Sequence, residues 1–258
     1  MASRTSARQQ EMSQRATVFK GCYAPAFKGD CEDRPYHAGT IMSVAFPDRN
    51  VFVTAKHVLD RDWNNPCDDE NQIHVFSSGT IKQIQRFTYP KGELDLTVIH
   101  TQDVDARDVF AEPLDHRHLL NRPLTTDMYV AACGFPRTKN YRKGKQLTCR
   151  PYGYFGRVLS DATTKRAGYD PTSHFSLRFN RKRSVNEDGR GGYAPDPDGI
   201  SGGPVFLVDD LATDAPTQPA LAGIVIARDP KLKLLICIRA ECISFTAGDS
   251  RSEGSMAP

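Results

Sequence analysis

The chain has 258 residues, 39% of them hydrophobic, and a formal net charge of +3. This length is enough for one large or two small domains with a sizeable buried core. The composition is that of a soluble globular protein. So small a net charge gives no reason to expect a nucleic-acid partner. No apolar run is long enough to cross a membrane, so we expect no membrane contact.

Both ends of the chain are polar. Residues 1–17 are rich in Ser, Arg and Gln and lack the apolar stretch of a secretory signal. Residues 247–258 are small and polar. We therefore predict disordered tails at 1–17 and 247–258.

The chain has seven cysteines: Cys22, Cys31, Cys67, Cys133, Cys149, Cys237 and Cys242. An odd number without a secretory signal indicates a reducing, cytoplasmic setting. Cys133 and Cys237 lie inside apolar runs, which predicts small core residues. Cys22 and Cys31 lie near His37 in sequence, but no Cys-x-x-Cys pair occurs, so we expect no metal.

Runs of strand length recur through the first half of the chain, at 39–46, 51–55, 72–76, 80–88 and 95–99. The first two are separated by Pro47-Asp48-Arg49-Asn50, a turn sequence, which predicts a hairpin. The polar segment 61–71 contains three adjacent acidic residues at 68–70. They could hold calcium, but a solvated loop is the expectation.

Two polar residues stand at the ends of these runs. The run 51–54 leads directly into Ala55, Lys56 and His57, which places the histidine at a strand end and not in a core. Asp95 opens the apolar run 95–99 and is expected to be drawn toward the interior by its neighbours. An aspartate can orient a histidine and stabilise its charge.

The segment 103–126 has few strand signals and suits a connection between two barrels. Further runs follow at 128–133, 152–159, 174–179, 205–208, 220–227 and 232–238. Strands at this spacing, with little helical periodicity, predict barrels. The basic segment 137–150 is expected to be a solvated loop, with an acidic protein or RNA as its alternative partners.

A serine lies on a glycine-rich turn just before the run 205–208. Gly199 and the pair Gly202-Gly203 flank Ser201. Glycines permit a tight turn with unusual φ angles. A hydroxyl on a rigid turn, beside free N–H groups that can bind an oxyanion, is what acyl transfer requires. Because a serine hydroxyl is a poor nucleophile without a base, His57 becomes a candidate base.

These three segments resemble those of trypsin-like (chymotrypsin-fold) serine proteases. Gly-x-Ser-Gly-Gly-Pro resembles the family's nucleophile turn, Thr54-Ala55-Lys56-His57 its histidine segment, and Asp95-Leu96-Thr97-Val98 its aspartate segment. The order His57, Asp95, Ser201 is also that of the family. Gly134-Phe135-Pro136 resembles the start of the second barrel in bacterial members.

The resemblance implies an all-β fold of two antiparallel six-stranded β-barrels with the active site between them. It places the first barrel, with His57 and Asp95, at 18–115. The second, with Ser201, lies at 116–246. The implied activity is a serine endopeptidase that acts on protein or peptide substrates and needs no cofactor.

The resemblance also implies individual roles. Ser201 is the nucleophile, His57 the general base and acid, and Asp95 the residue that orients His57. The N–H groups of Gly199 and Ser201 form the oxyanion hole.

Substrate is expected to pair with the strand edge at Ile226, Ala227 and Arg228. Asp196 in the primary pocket would favour Lys or Arg in the substrate, whereas Arg228 would favour Asp or Glu. Both could instead be ordinary surface charges. Asp196 gives a slight preference for basic substrates.

Three residues depart from the family pattern, the first being Arg228, which stands where many relatives carry a glycine that keeps the pocket mouth open. Lys56 replaces an alanine, and Ile200 stands where zymogens carry an aspartate that pairs with a new N-terminus. We therefore expect a turn that needs no N-terminal processing. It is either preformed or ordered by a regulatory protein partner acting through the loop at 180–198. The alternative is a catalytically inactive module that binds peptides or a protein partner.

Overall fold

The computed structural model of the chain describes residues 20–28, 36–60, 72–77, 80–85, 87–88, 93–101, 106–110, 112–143, 146–179, 181, 184–185, 191–210 and 219–243. The predicted tails, the 61–71 loop, Cys31, Cys67 and part of the 180–198 loop lie outside the described residues.

The first half forms a curled, mostly antiparallel sheet. Its strands are β1 (Tyr23–Lys28), β2 (Tyr36–Ala45), β3 (Asn50–Thr54), β4 (Gln72–Ser77), β5 (Thr80–Gln85), β6 (Phe87–Thr88), β7 (Thr97–Thr101) and β8 (Leu114–Asp115). The hydrogen-bonded order is β5-β4-β1-β2-β3-β7-β6, with β8 parallel to β2. Because β5 and β6 are consecutive along the chain, the sheet closes into a barrel of six strands.

The second half repeats this architecture. Its strands are β9 (Met128–Gly134), β10 (Asn140–Lys143), β11 (Gln146–Cys149), β12 (Tyr152–Arg157), β13 (His174–Arg178), β14 (Ser184–Val185), β15 (Gly191–Gly192), β16 (Pro204–Asp210), β17 (Ala220–Asp229) and β18 (Leu234–Arg239). The order is β13-β18-β17-β16-β9-β12-β14-β15, and β10 and β11 form a separate hairpin. A bridge between Val158 and Leu177 joins the end of β12 to β13 and closes six strands. The predicted fold of two six-stranded barrels is confirmed.

The helices that lie wholly within the described residues are short. They are α1 (Lys56–Leu59), α2 (Ala106–Val109) and α3 (Asp161–Arg166), with 3-10 turns at Lys20–Cys22, His116–His118 and Arg137–Lys139. Within the described residues, no helix has the length and apolar character that spanning a bilayer demands.

Strands of the second barrel are buried on both faces. In β16, Phe206 and Val208 pack in a cluster with residues of the first barrel, whereas Val205 and Leu207 pack inside the second barrel. This double burial explains why the sequence shows an unbroken apolar run instead of alternation. The prediction that Cys133 and Cys237 are core residues is confirmed, and the described cysteines are free thiols.

The sequence-based predictions did not include β1, the hairpin β10–β11 or the two-residue strands β8, β14 and β15. Strand β1, which contains Pro25, was not predicted because a proline within a run argues against a strand. All six of its residues are buried, and it pairs with β2 over its whole length. The predicted basic loop at 137–150 contains the hairpin β10–β11. Its side chains are mostly exposed or half-buried, so the apolar signal of a strand is weak there.

Candidate active site

His57 and Asp95 meet because their strands are neighbours in the first barrel. Thr54 at the end of β3 pairs with Thr97 near the start of β7. His57 follows β3 on the first turn of α1, and Asp95 precedes β7. The Asp95 carboxylate accepts hydrogen bonds from the His57 main-chain N–H at 3.0 Å and from the ring Nδ1 at 2.7 Å.

This pairing defines the tautomer of the imidazole. A carboxylate can only accept, so Nδ1 of His57 carries the proton and donates a hydrogen bond to Asp95. In the neutral ring, Nε2 then holds a lone pair. The His57 side chain is 43% exposed, so this nitrogen is reachable from solvent. The arrangement is that of a base held ready for a proton.

Thr40 ties the turn at 198–201 to the first barrel. Its N–H donates to the carbonyl of Ser201 at 2.8 Å, and its Oγ1 donates to the carbonyl of Gly199 at 3.2 Å. The same Oγ1 accepts from the N–H of Phe135 at 3.1 Å. The carbonyl of Thr40 accepts from the hydroxyl of Thr54 at 2.7 Å. One threonine in β2 therefore holds two carbonyls of the turn.

A second contact sets the orientation of the peptide between Asp198 and Gly199. The Arg137 N–H donates to the Asp198 carbonyl at 2.7 Å. In a trans peptide the N–H points away from the C=O, so the Gly199 N–H points away from Arg137. Gly199 has φ +94°, and a Cβ there would lie 2.6 Å from Nδ1 of His37. A glycine is therefore required at this position.

The N–H groups of Gly199 and Ser201 donate to no described group, while the N–H of Ile200 between them donates to Pro197 at 3.1 Å. The carbonyl of Ile200 accepts from Gly203 at 2.8 Å. Two free donors on a constrained turn are the requirement for binding an oxyanion. Within the described residues, the hydroxyl of Ser201 makes no hydrogen bond, including to His57.

The turn packs directly against the strand end that carries His57. A Cβ at Gly39 would lie 2.6 Å from Cγ2 of Val58 and 2.8 Å from the carbonyl oxygen of Ser201. A Cβ at Gly202, which has φ +83°, would clash with Thr54 and lie 3.1 Å from the N of Ala55. The predicted site residues of the two barrels thus lie at one interface.

A cavity of about 370 Å³ lies beside Ser201. It is lined by Asp196, Pro197, Asp198, Gly199, Ile200, Ser201, Val225, Ile226, Ala227, Arg228 and Leu235. The four residues that the sequence predicted to bind substrate all line this cavity: Asp196, Ile226, Ala227 and Arg228.

The last part of β17, at 226–228, has one free edge beside this cavity. Pairing between β16 and β17 ends at Ile224, and Val225 still exchanges main-chain hydrogen bonds with Gly202 and Gly203. On the other edge, Ala227 and Arg228 pair with β18. Among the described strands, none pairs with the remaining edge of 226–228, so its main chain can accept an added strand.

Asp196 and Arg228 bind each other. Nη1 of Arg228 donates to both carboxylate oxygens of Asp196 at 2.7 Å. Partial burial raises the pKa of Asp196, but hydrogen bonds from Arg228 and from the N–H of Asp198 outweigh it and lower the pKa overall. Neither residue offers a free charge to the cavity.

His37 is a buried histidine behind Gly199. It is 6% exposed, and neither ring nitrogen has a hydrogen-bond partner within the described residues. Burial, together with the charge of Arg137, lowers the pKa of His37 from 6.5 to about 4. The Arg137 side chain also donates to the main-chain carbonyl of His37 at 3.2 Å.

No family model and no curated protein matches the chain. Solved structures do match it. Neuropsin, a serine protease of mouse brain, superposes with a TM-score of 0.56 at 14% identity, covering 90% of this chain and 95% of neuropsin. The chain has the chymotrypsin fold. A serine endoprotease from Yersinia pestis gives a TM-score of 0.53 at 15% identity, covering 94% of this chain and 67% of that one.

Within this chymotrypsin fold, sequence reasoning missed Thr40, Arg137 and the role of His37 behind the turn. Their partners at 198–201 are 61 or more positions away along the chain. A weak local signal is that Thr40 is a hydroxyl residue within β2, as Ser43 also is. It does not say what the hydroxyl contacts.

We predict that Thr40→Val lowers the free energy of unfolding by about 1–3 kcal/mol, because it leaves the Gly199 carbonyl and the Phe135 N–H without a buried partner. Thr40→Ser keeps the hydroxyl and is the matched control. Urea unfolding of the three proteins measures the difference. Equal stability of the Val and Ser variants would contradict the assigned role.

We predict that His37 makes stability depend on pH. Because its pKa is lower in the folded state, its stabilising contribution is complete above about pH 6.5 and is lost as the pH falls toward 4. Between pH 8 and pH 4, the parent should lose about 3 kcal/mol more unfolding free energy than His37→Leu. Urea unfolding across this pH range measures the loss, and parallel curves for the two proteins would refute the prediction.

Proposed function

We propose that the chain is a serine endopeptidase that cleaves peptide bonds through an acyl-enzyme intermediate. The observation that carries this proposal is the combination, at one interface, of an Asp95-bound His57 and a serine turn with two free N–H groups. The chymotrypsin fold alone would not support it, because folds host many functions. The proposal rests on the geometry of these particular residues.

In the proposed reaction, Oγ of Ser201 forms a bond to the carbonyl carbon of the substrate while its proton passes to Nε2 of His57. The resulting oxyanion accepts hydrogen bonds from the N–H groups of Gly199 and Ser201. His57 then gives the proton to the leaving amine as the C–N bond breaks. Water, deprotonated by His57, releases the acyl group and restores Ser201.

Asp95 has an orienting role in this scheme. It keeps the proton on Nδ1, so that Nε2 remains a proton acceptor, and it stabilises the imidazolium that forms. The substrate main chain would pair with the free edge at Ile226, Ala227 and Arg228. Its side chain before the scissile bond would then enter the cavity.

One observation favours the alternative of a catalytically inactive module. Among the described contacts, no hydrogen bond joins the Ser201 hydroxyl to His57. Catalytic hydrogen bonds are often long before substrate binds. A regulatory partner acting through the 180–198 loop would also account for it, and in that case the chain alone would be inactive. A cytoplasmic location, the predicted barrel boundaries and independence from metals stay predictions.

We predict that a fluorophosphonate probe labels Ser201 covalently in the purified full-length chain. The control Ser201→Ala should fold equally well and take up no label. Mass spectrometry of the labelled peptide identifies the site. Labelling that persists in Ser201→Ala would overturn the assigned nucleophile, and absence of labelling in the parent would favour the inactive module.

We also predict that Asp95→Asn slows labelling by a factor on the order of 10³ to 10⁴, because an amide can donate to Nδ1 and so favour the wrong tautomer. Urea unfolding serves as the control for intact folding. A rate within a few-fold of the parent would show that Asp95 does not orient the base.

A further inference from the structure

An ion pair lies at the rim of the cavity beside Ser201. Arg228 binds both oxygens of Asp196 through one nitrogen, at 2.7 Å to each. The two side chains are 34% and 40% exposed, so the pair lies at the boundary between the cavity and solvent. The residues are 32 positions apart in sequence, in the loop before the serine turn and on the free edge of β17.

Each partner is held by a further contact. The guanidinium of Arg228 lies 5.4 Å from the ring centroid of Phe179, a cation–π arrangement. The Asp196 carboxylate also accepts from the N–H of Asp198 at 3.2 Å. Both members of the pair are therefore held in place by a second contact, so they are not two freely moving surface side chains.

The neighbouring charges are already engaged. Arg181 donates to the carbonyl of Ala194 at 2.9 Å and stacks on Tyr193, with 4.4 Å to the ring centroid. The Asp198 carboxylate lies 3.6 Å from Nη1 of Arg137. The rest of the lining that bears side chains is apolar, apart from Ser201 itself: Pro197, Ile200, Val225, Ile226, Ala227 and Leu235.

A charged substrate side chain would have to compete with a tethered partner. A lysine or arginine could reach Asp196 only by displacing Arg228, and an acidic side chain could reach Arg228 only by displacing Asp196. A tethered group acts at a high effective concentration, so displacement weakens binding of either charge. An apolar side chain displaces nothing and gains from burial against the apolar lining.

We propose that the Asp196–Arg228 ion pair determines specificity by excluding both charge types, so that the site takes an uncharged, apolar side chain before the scissile bond. This inference rests on the proposed endopeptidase function. It also replaces the slight preference for basic substrates that Asp196 alone suggested.

The test uses three peptides that differ only in the residue before the scissile bond, which is Leu, Lys or Glu. We expect the parent to cleave the Leu peptide at least about tenfold faster, in kcat/KM, than either charged peptide. Asp196→Asn should raise kcat/KM for the Glu peptide relative to that for the Leu peptide. Arg228→Gln should raise kcat/KM for the Lys peptide in the same way. The double variant should again favour Leu. A parent that prefers Lys or Glu, or single variants whose ratios do not move, would overturn the inference.

A binding measurement separates this inference from the proposed function. The same peptides are titrated, by fluorescence anisotropy, into Ser201→Ala and into that variant combined with each single charge change. The order of affinities should match the order expected for cleavage. If the peptides bind in the expected order but the parent protein cleaves none of them, the result counts against the proposed catalysis and supports the ion-pair inference. Equal binding of the three peptides, or binding of none, would overturn the ion-pair inference.

Discussion

The candidate site depends on hydrogen bonds to the carbonyls of the serine turn. All four carbonyls from 198 to 201 accept hydrogen bonds from fixed donors, three of which belong to Thr40 and Arg137 and one to Gly203. A peptide whose carbonyl is held cannot rotate, so its N–H direction is set as well. The N–H groups of Gly199 and Ser201 therefore have fixed directions before any substrate arrives, as the proposed oxyanion site requires.

This constraint links the two barrels. Strand β2 of the first barrel supplies Thr40, and the 3-10 turn between β9 and β10 supplies Arg137. The close approach of the turn is possible only because glycines stand at 199 and 202, where positive φ angles and the lack of a Cβ are both required. Ile200 is buried between them and carries no ionisable group, and among the described residues the turn is held by main-chain and threonine hydrogen bonds.

The sequence predicted what is encoded in short segments and missed what arises between distant ones. The strands around His57, Asp95 and Ser201 carry local patterns, and the barrel fold follows from their spacing. Strand β1 escaped prediction because Pro25 argues against a strand, although burial of the entire segment compensates in the fold. The Asp196–Arg228 pair joins residues whose sequence neighbourhoods give no sign of contact. Each charge alone suggested a specificity that the pair removes.

The most direct test of this account is a crystal structure of the protein with a peptidyl boronic acid bound at the site. The account predicts a covalent bond to Oγ of Ser201, with a boronate oxygen about 3 Å from the N–H groups of both Gly199 and Ser201. The Asp198 carbonyl should still accept from Arg137. A boronate absent from Ser201, or a 198–199 peptide rotated so that its carbonyl faces the ligand, would contradict the claim of a preformed oxyanion site.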